Sequence, residues 1–116
     1  MKTFKKLSER VSVTDQVTPQ EIPAIRAAGF KAIIGNRPDN EEAGQPAWQE
    51  IEAAARKAEL RTRFVPLSGP VPTDEALAGF AGALSDLDGP ILAFCRTGRR
   101  SEILWNATQS FARAAE

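Results

Sequence analysis

The residues that most constrain this chain are Ile91-Leu92-Ala93-Phe94, four apolar side chains in a row between Gly89-Pro90 and the sole cysteine, Cys95. Successive side chains of a strand point to opposite faces. A strand that is apolar on both faces must lie between two covering layers, as a central strand of a parallel sheet does. A sheet with one face in water would alternate instead. The run therefore predicts an α/β fold, with helices packed on both sides of a central, mostly parallel sheet in a three-layer α/β/α arrangement.

The rest of the sequence supplies strands and helices in alternation. Val11 to Val13 reads as a short strand. Thr18, with Pro19 at the first helical position and Glu21 three residues on, forms a capping-box pattern. Pro23 leaves an alternative start at Glu21, and Gly29 falls where a helix stop is expected. Phe30 to Ile34 reads as a buried strand ending at Gly35. A helix from Pro46 places Trp48, Ile51, Ala55 and Ala58 on one face, and the two tryptophans, Trp48 and Trp105, read as helix-to-sheet packing. Thr62 to Val65 reads as a strand before Pro66. Thr73 then caps a helix with Asp74 and Glu75 in its first turn, where acids suit the helix dipole. Leu77, Phe80, Ala81, Leu84 and Leu87 form its apolar side. A last helix from about Ser101 carries Leu104, Ala107, Phe111 and Ala114. This alternation is the pattern of βαβ units, and 116 residues fit one domain, 1–116. Open sheets of this kind bind ligands beyond the carboxyl ends of their strands, here after Ile34, Val65 and Phe94.

Composition removes whole classes of chemistry. With no His, the chain cannot build a Ser-His-Asp or Cys-His pair or a His-ligated metal site. One Cys allows neither an internal disulfide nor a multi-cysteine metal cluster, so no metal and no cofactor is expected. Lys plus Arg is 15 and Asp plus Glu is 15, which argues against nucleic acid or an anionic membrane as partner. No run of about 18 apolar residues is available to span a membrane. The basic stretch Met1 to Arg10 is not followed by the apolar segment of a signal peptide. A cytoplasmic location is the expectation.

The stretch Cys95-Arg96-Thr97-Gly98-Arg99-Arg100-Ser101 lies between the most apolar strand and a helix. Positive charge is unfavourable at a helix N-terminus, so three arginines there call for an anion. Gly98 lets the backbone turn so that successive N–H groups point inward, and the helix start adds unpaired N–H donors. Arginine contributes a planar fork that matches an oxyanion. Such surroundings favour a thiolate without a histidine base. Beyond the second strand, Arg37 is a candidate substrate contact and Asp39 a candidate acid. The plainer alternative is a turn in which Asn36 and Asp39 cap the loop backbone and Arg37 pairs with Glu41 or Glu42, the Glu41-Glu42 run itself being solvated loop.

The loop resembles the Cys-based phosphate loop of protein tyrosine and dual-specificity phosphatases, and also the active loop of rhodanese-type sulfurtransferases. Three blocks in order, VSVTDQVTPQEI, GFKAIIGNRPDNEEAGQP and PILAFCRTGRRSEILW, look like the phosphatase-like domain of β-lactamase-hydrolase-like proteins. That resemblance implies a dual-specificity-phosphatase-like fold, Cys95 as nucleophile and the Arg96 to Ser101 backbone as its cradle. In some relatives such a domain is joined to a metallo-β-lactamase-like domain handling sulfur compounds. The chain lacks that second domain, so a separate metallo-β-lactamase-like sulfur enzyme is a candidate partner.

Two departures from the phosphatase pattern favour sulfur transfer. The signature arginine stands six positions after the cysteine in phosphatases, a place taken here by Ser101; Arg100 comes one residue early, giving the C-R-x-G-x-R spacing of sulfurtransferases. Phe94 replaces the preceding histidine. The segment Val65-Pro66-Leu67-Ser68-Gly69 carries no general acid, and sulfite leaving a sulfane sulfur needs none, whereas an alkoxide or phenoxide does. The leading expectation is a cysteine-dependent sulfurtransferase that forms a persulfide on Cys95. A cysteine-dependent phosphatase with a thiophosphoryl Cys95 is the alternative, and a non-enzymatic anion-binding or thiol-sensing module the second alternative. In all three the ligand is a small anion, thiosulfate, a persulfide or a phosphate ester. Cys95 and Arg100 carry the chemistry with Asp39 as acid, while Arg96, Thr97, Gly98, Arg99, Ser101 and Arg37 hold the anion.

Overall fold

A computed structural model describes residues 2–115 in backbone and residues 2–110 in side chain. Its sheet has five strands: β1 (Lys5–Lys6), β2 (Val11–Thr14), β3 (Ala32–Gly35), β4 (Arg61–Phe64) and β5 (Ile91–Phe94). The spatial order is β1-β2-β5-β3-β4, with β1 antiparallel to β2 and the other pairs parallel. A 3-10 turn (Pro19–Glu21) leads into α1 (Ile22–Ala27), and α2 (Trp48–Lys57), α3 (Asp74–Asp86) and α4 (Arg99–Ala115) follow between and after the strands. The α/β expectation holds, with the apolar run at the centre.

Alternate side chains of β5 feed two separate cores. Ile91 and Ala93 pack with Phe80, Ala83 and Leu104 on the α3/α4 side. Leu92 and Phe94 pack with Ile22, Ile25, Ile51 and Ala55 on the α1/α2 side. All four are at most 2% exposed, so each large one contributes about 1.5–3 kcal/mol of burial.

The boundaries differ from the sequence reading in instructive ways. Thr18 donates its N–H to Glu21 Oε1 at 2.8 Å, as a capping box does, yet the turn it starts is 3-10 and the α-helix proper begins at Ile22. The third strand starts at Ala32, although Phe30 is buried just before it. The fourth runs from Arg61 to Phe64, one residue earlier than expected. The second helix begins at Trp48, where Asp39 Oδ1 accepts the Trp48 N–H at 2.8 Å. Thr73 caps α3 as expected, accepting from the Ala76 N–H at 3.0 Å. On α3 the fully buried side chains are Ala76, Phe80 and Ala83, while Leu77 and Leu84 are only partly covered. The last helix begins at Arg99 rather than Ser101; the side chains of Phe111 and Ala114 lie outside the described residues. No periodicity announces the two-residue β1. Among the described residues no helix is long and apolar enough to cross a membrane.

Candidate active site

Register places the site. Thr14 and Gly35 both pair with Phe94, and Gly35 pairs with Phe64, so the four parallel strands end at one level. The chain segments that leave them are therefore neighbours. The Asn36 N–H donates to the Phe94 carbonyl at 2.8 Å, and the Leu67 N–H to the Asn36 carbonyl at 2.9 Å. Asn36 Nδ2 donates to the Val65 carbonyl at 2.8 Å. One buried asparagine thus ties the ends of β3, β4 and β5 together. Trp48 packs over the end of β3, stacked on Phe64 at 5.1 Å and on Phe94 at 6.3 Å, in space that a side chain at Gly35 would fill.

Cys95 is the first residue after β5 and is 1% exposed. Its Sγ accepts the Gly98 N–H at 3.0 Å. This contact requires the chain to fold back within three residues, which Gly98 does with a φ of +95°. A Cβ there would stand 3.2 Å from the Thr14 carbonyl oxygen, so the loop is also pressed against β2. The Glu102 N–H bonds the Gly98 carbonyl at 3.1 Å, which starts α4 directly behind the loop. The first-turn amides of α4 therefore lie beside the sulfur-bearing loop. Ser101 is fully buried and its Oγ has no hydrogen-bond partner among the described residues.

The three loop arginines have different surroundings. Arg100 donates from Nη1 to Glu41 Oε2 at 2.7 Å and to the Leu67 carbonyl at 2.8 Å, and from Nη2 to Glu41 Oε1 at 2.9 Å. Its charge is favoured first by Glu41, against some desolvation, and further by the nearby Cys95 sulfur. Glu41 is held down to about 2, chiefly by its bonds to Arg100 and then by Arg37, against some desolvation. Arg96 is exposed and pairs through Nε with Glu42 Oε1 at 3.0 Å. Arg99 is exposed, and its N–H contacts Thr97 Oγ1 at 3.3 Å. An open cavity of about 420 Å³ is lined by Arg96, Thr97, Arg99 and Arg100 together with Ser68, Gly69, Pro70 and Ile103.

The β3–α2 loop delivers different groups from those expected. Arg37 is buried and bonds Glu41 Oε1 at 2.9 Å, Glu42 Oε1 at 2.6 Å and Gln16 Oε1 at 3.0 Å, so the ion-pair alternative describes it. Asp39 accepts the Trp48 N–H at the start of α2, as the capping alternative has it. Glu41 and Glu42 are exposed, as a solvated run is, but they also join Arg37 to Arg100 and Arg96. Sequence reasoning found their pairing with Arg37 but missed their contacts with Arg100 and Arg96, because the Arg100–Glu41 pair spans 59 positions and no local pattern marks such a contact. The buried link through Asn36 and Leu67 was missed for the same reason.

With this geometry in view, comparison with known proteins is decisive. A family model described as "Beta-lactamase hydrolase-like protein, phosphatase-like domain" matches residues 3–112. The chain belongs to that family. A beta-lactamase hydrolase-like protein of Agrobacterium fabrum is 35% identical over 100 residues, covering 86% of this chain and 23% of its own length. The chain thus spans about a quarter of such curated relatives. A candidate phosphatase of Neisseria meningitidis superposes with a TM-score of 0.82 at 30% identity, covering 90% of this chain and 75% of that one. A second, from Shewanella putrefaciens, has a TM-score of 0.79 at 16% identity, covers 91% of this chain and 66% of its own, and speaks to the fold alone.

Membership in the phosphatase-like family confirms the resemblance and supports an enzyme of the cysteine-dependent phosphatase type. It does not support the leading expectation of sulfur transfer over its alternative. The short spacing from Cys95 to Arg100 and the lack of an acid after β4 are real features of the sequence. They do not outweigh a phosphatase-like match along nearly the whole chain.

Proposed function

We propose that the domain is a cysteine-dependent phosphatase acting on small phosphate monoesters. The observation that carries this reading is the Cys95 sulfur, bonded to the Gly98 N–H at the head of α4 with the Arg100 guanidinium beside it. Backbone amides and a guanidinium together match the oxygens of a phosphoryl group. The Cys95 thiolate attacks phosphorus, the bond from phosphorus to the ester oxygen breaks, and the phosphoryl group passes to sulfur. Water then attacks the thiophosphoryl phosphorus, releasing inorganic phosphate and regenerating Cys95. Arg96 and Arg99, at the cavity rim, draw in the anion.

The engagement of Asp39 with the Trp48 N–H bears on substrate choice. Without that carboxylate as donor, an aryl ester, whose phenolate is a good leaving group, reacts faster than an alkyl ester. The test is release of phosphate from an aryl phosphate, with thiosulfate plus cyanide assayed in parallel. Cys95→Ser should lower phosphate release by a factor of about a thousand or more while leaving phosphate binding intact. Thiocyanate formation without phosphate release would reject the proposal in favour of sulfur transfer. Binding of phosphate without turnover in either assay would leave an anion-binding module.

A further inference from the structure

Resting on the phosphatase reading, we propose that Glu41 is a positioning residue for Arg100, its carboxylate occupying one edge of the guanidinium so that the other edge is presented to the oxyanion. A guanidinium carries five N–H donors in one plane. Both Nη1 hydrogens are used, one on Glu41 Oε2 and one on the Leu67 carbonyl, and one Nη2 hydrogen is used on Glu41 Oε1. The Nε hydrogen and the second Nη2 hydrogen are given to no oxygen among the described residues, and the neighbour that further favours the Arg100 charge is the Cys95 sulfur. In a planar guanidinium these two point the same way and form a second fork, matched to two oxygens of a phosphoryl group.

The carboxylate is itself fixed from the interior outward. Glu41 Oε1 also accepts from Arg37 Nε at 2.9 Å, and the Arg37 side chain is 4% exposed. Arg37 is pinned by Gln16 and Glu42. The series runs from a buried arginine through a carboxylate to the anion-facing arginine, whose side chain is 14% exposed. A carboxylate that merely filled the substrate's place would sit on the Nε edge, and this one does not. With its end held by Glu41 and one Nη1 hydrogen held by Leu67, the Arg100 fork needs no reordering when an oxyanion arrives, which is the condition for strong stabilisation of charge.

The sign of one measurement decides between holding the fork and competing for it. Glu41 lies in a surface loop, so Glu41→Gln and Glu41→Ala leave both cores untouched. Both should weaken binding of inorganic phosphate about tenfold and lower kcat for the aryl phosphate by more than they raise KM. Glu41→Asp, which keeps the charge on a shorter stem, should recover part of the loss. Tighter phosphate binding in Glu41→Gln would overturn the proposal, because the carboxylate would then be a competitor for the fork. So would phosphate binding and kcat both unchanged within about twofold, a difference worth under half a kcal/mol. Failure of the phosphatase reading itself would show differently, as wild-type protein that binds phosphate but releases none from the ester.

Discussion

The two loops that meet at the end of the sheet are built on opposite principles. The β5–α4 loop, residues 95–98, is held by backbone: an N–H on sulfur, a glycine at positive φ and the first helical bond of α4, all within a few residues. The β3–α2 loop, residues 36–47, is held largely by side chains: Arg37, Glu41 and Glu42 pair with one another and with arginines nearly sixty positions away. On the proposed reading, the first makes the anion cradle and the second aims its arginine. On that reading the chemistry rests on backbone, while orientation is left to ion pairs whose carboxylates solvent and pH can reach.

If the cradle is the catalytic half, changes to it should cost most. Arg100→Lys keeps the charge but loses both the planar fork and the bidentate contact with Glu41. It should lower kcat/KM for an aryl phosphate by about a hundredfold or more, and steady-state kinetics will measure this. A loss under about threefold, less than 1 kcal/mol, would mean that the backbone amides alone bind the anion and would break the division of labour.

Gly98→Ala tests whether backbone geometry sets the cradle. Positive φ disfavours alanine, and the new Cβ would press on the Thr14 carbonyl oxygen at 3.2 Å. The expected loss is about 1–3 kcal/mol in denaturant unfolding, together with lost activity. A stable variant with full turnover would show that the loop's geometry does not depend on a glycine at this positive φ.

The ion-paired loop should respond instead to acid. Glu41 is held down to about 2 from an ordinary value of 4.5, chiefly by Arg100. Since its folded value is the lower one, its contribution to stability is complete above about pH 4.5 and is lost as pH falls toward 2. Unfolding followed between those limits should show Glu41→Gln with a flatter dependence than wild type. Parallel curves would mean that the pair adds nothing to folding. This effect is the smallest of the three, because the pair borders solvent.

Much of this arrangement was legible in the residues. Ile91 to Phe94 required a strand covered on both faces, and the structure distributes its side chains between two cores. Thr73 and Gly98 were readable because a cap and a positive-φ turn act within three residues. Where the reading slipped, non-local forces decided. Of the two readings of Asp39, candidate acid or backbone cap, the structure shows the capping contact, at the start of α2. Glu41 and Glu42 are exposed loop residues as read, and what the reading lacked is that they meet the cysteine loop's arginines. The preference for sulfur transfer came from the spacing between Cys95 and Arg100 and from the missing acid after Val65, and these do not outweigh the match of residues 3–112 to a phosphatase-like family.

What the sequence by itself determined is the local hardware: a doubly buried strand, a cysteine at its end, a glycine turn and an arginine-rich stretch leading into a helix. Each follows from backbone sterics and side-chain periodicity, which act over a few residues. Only the tertiary structure decided which carboxylate meets which arginine, because those pairs form when parallel strands end at one level and bring distant loops side by side. Coulomb attraction and hydrogen bonding depend on distance in space, and the order of residues along the chain does not encode that distance.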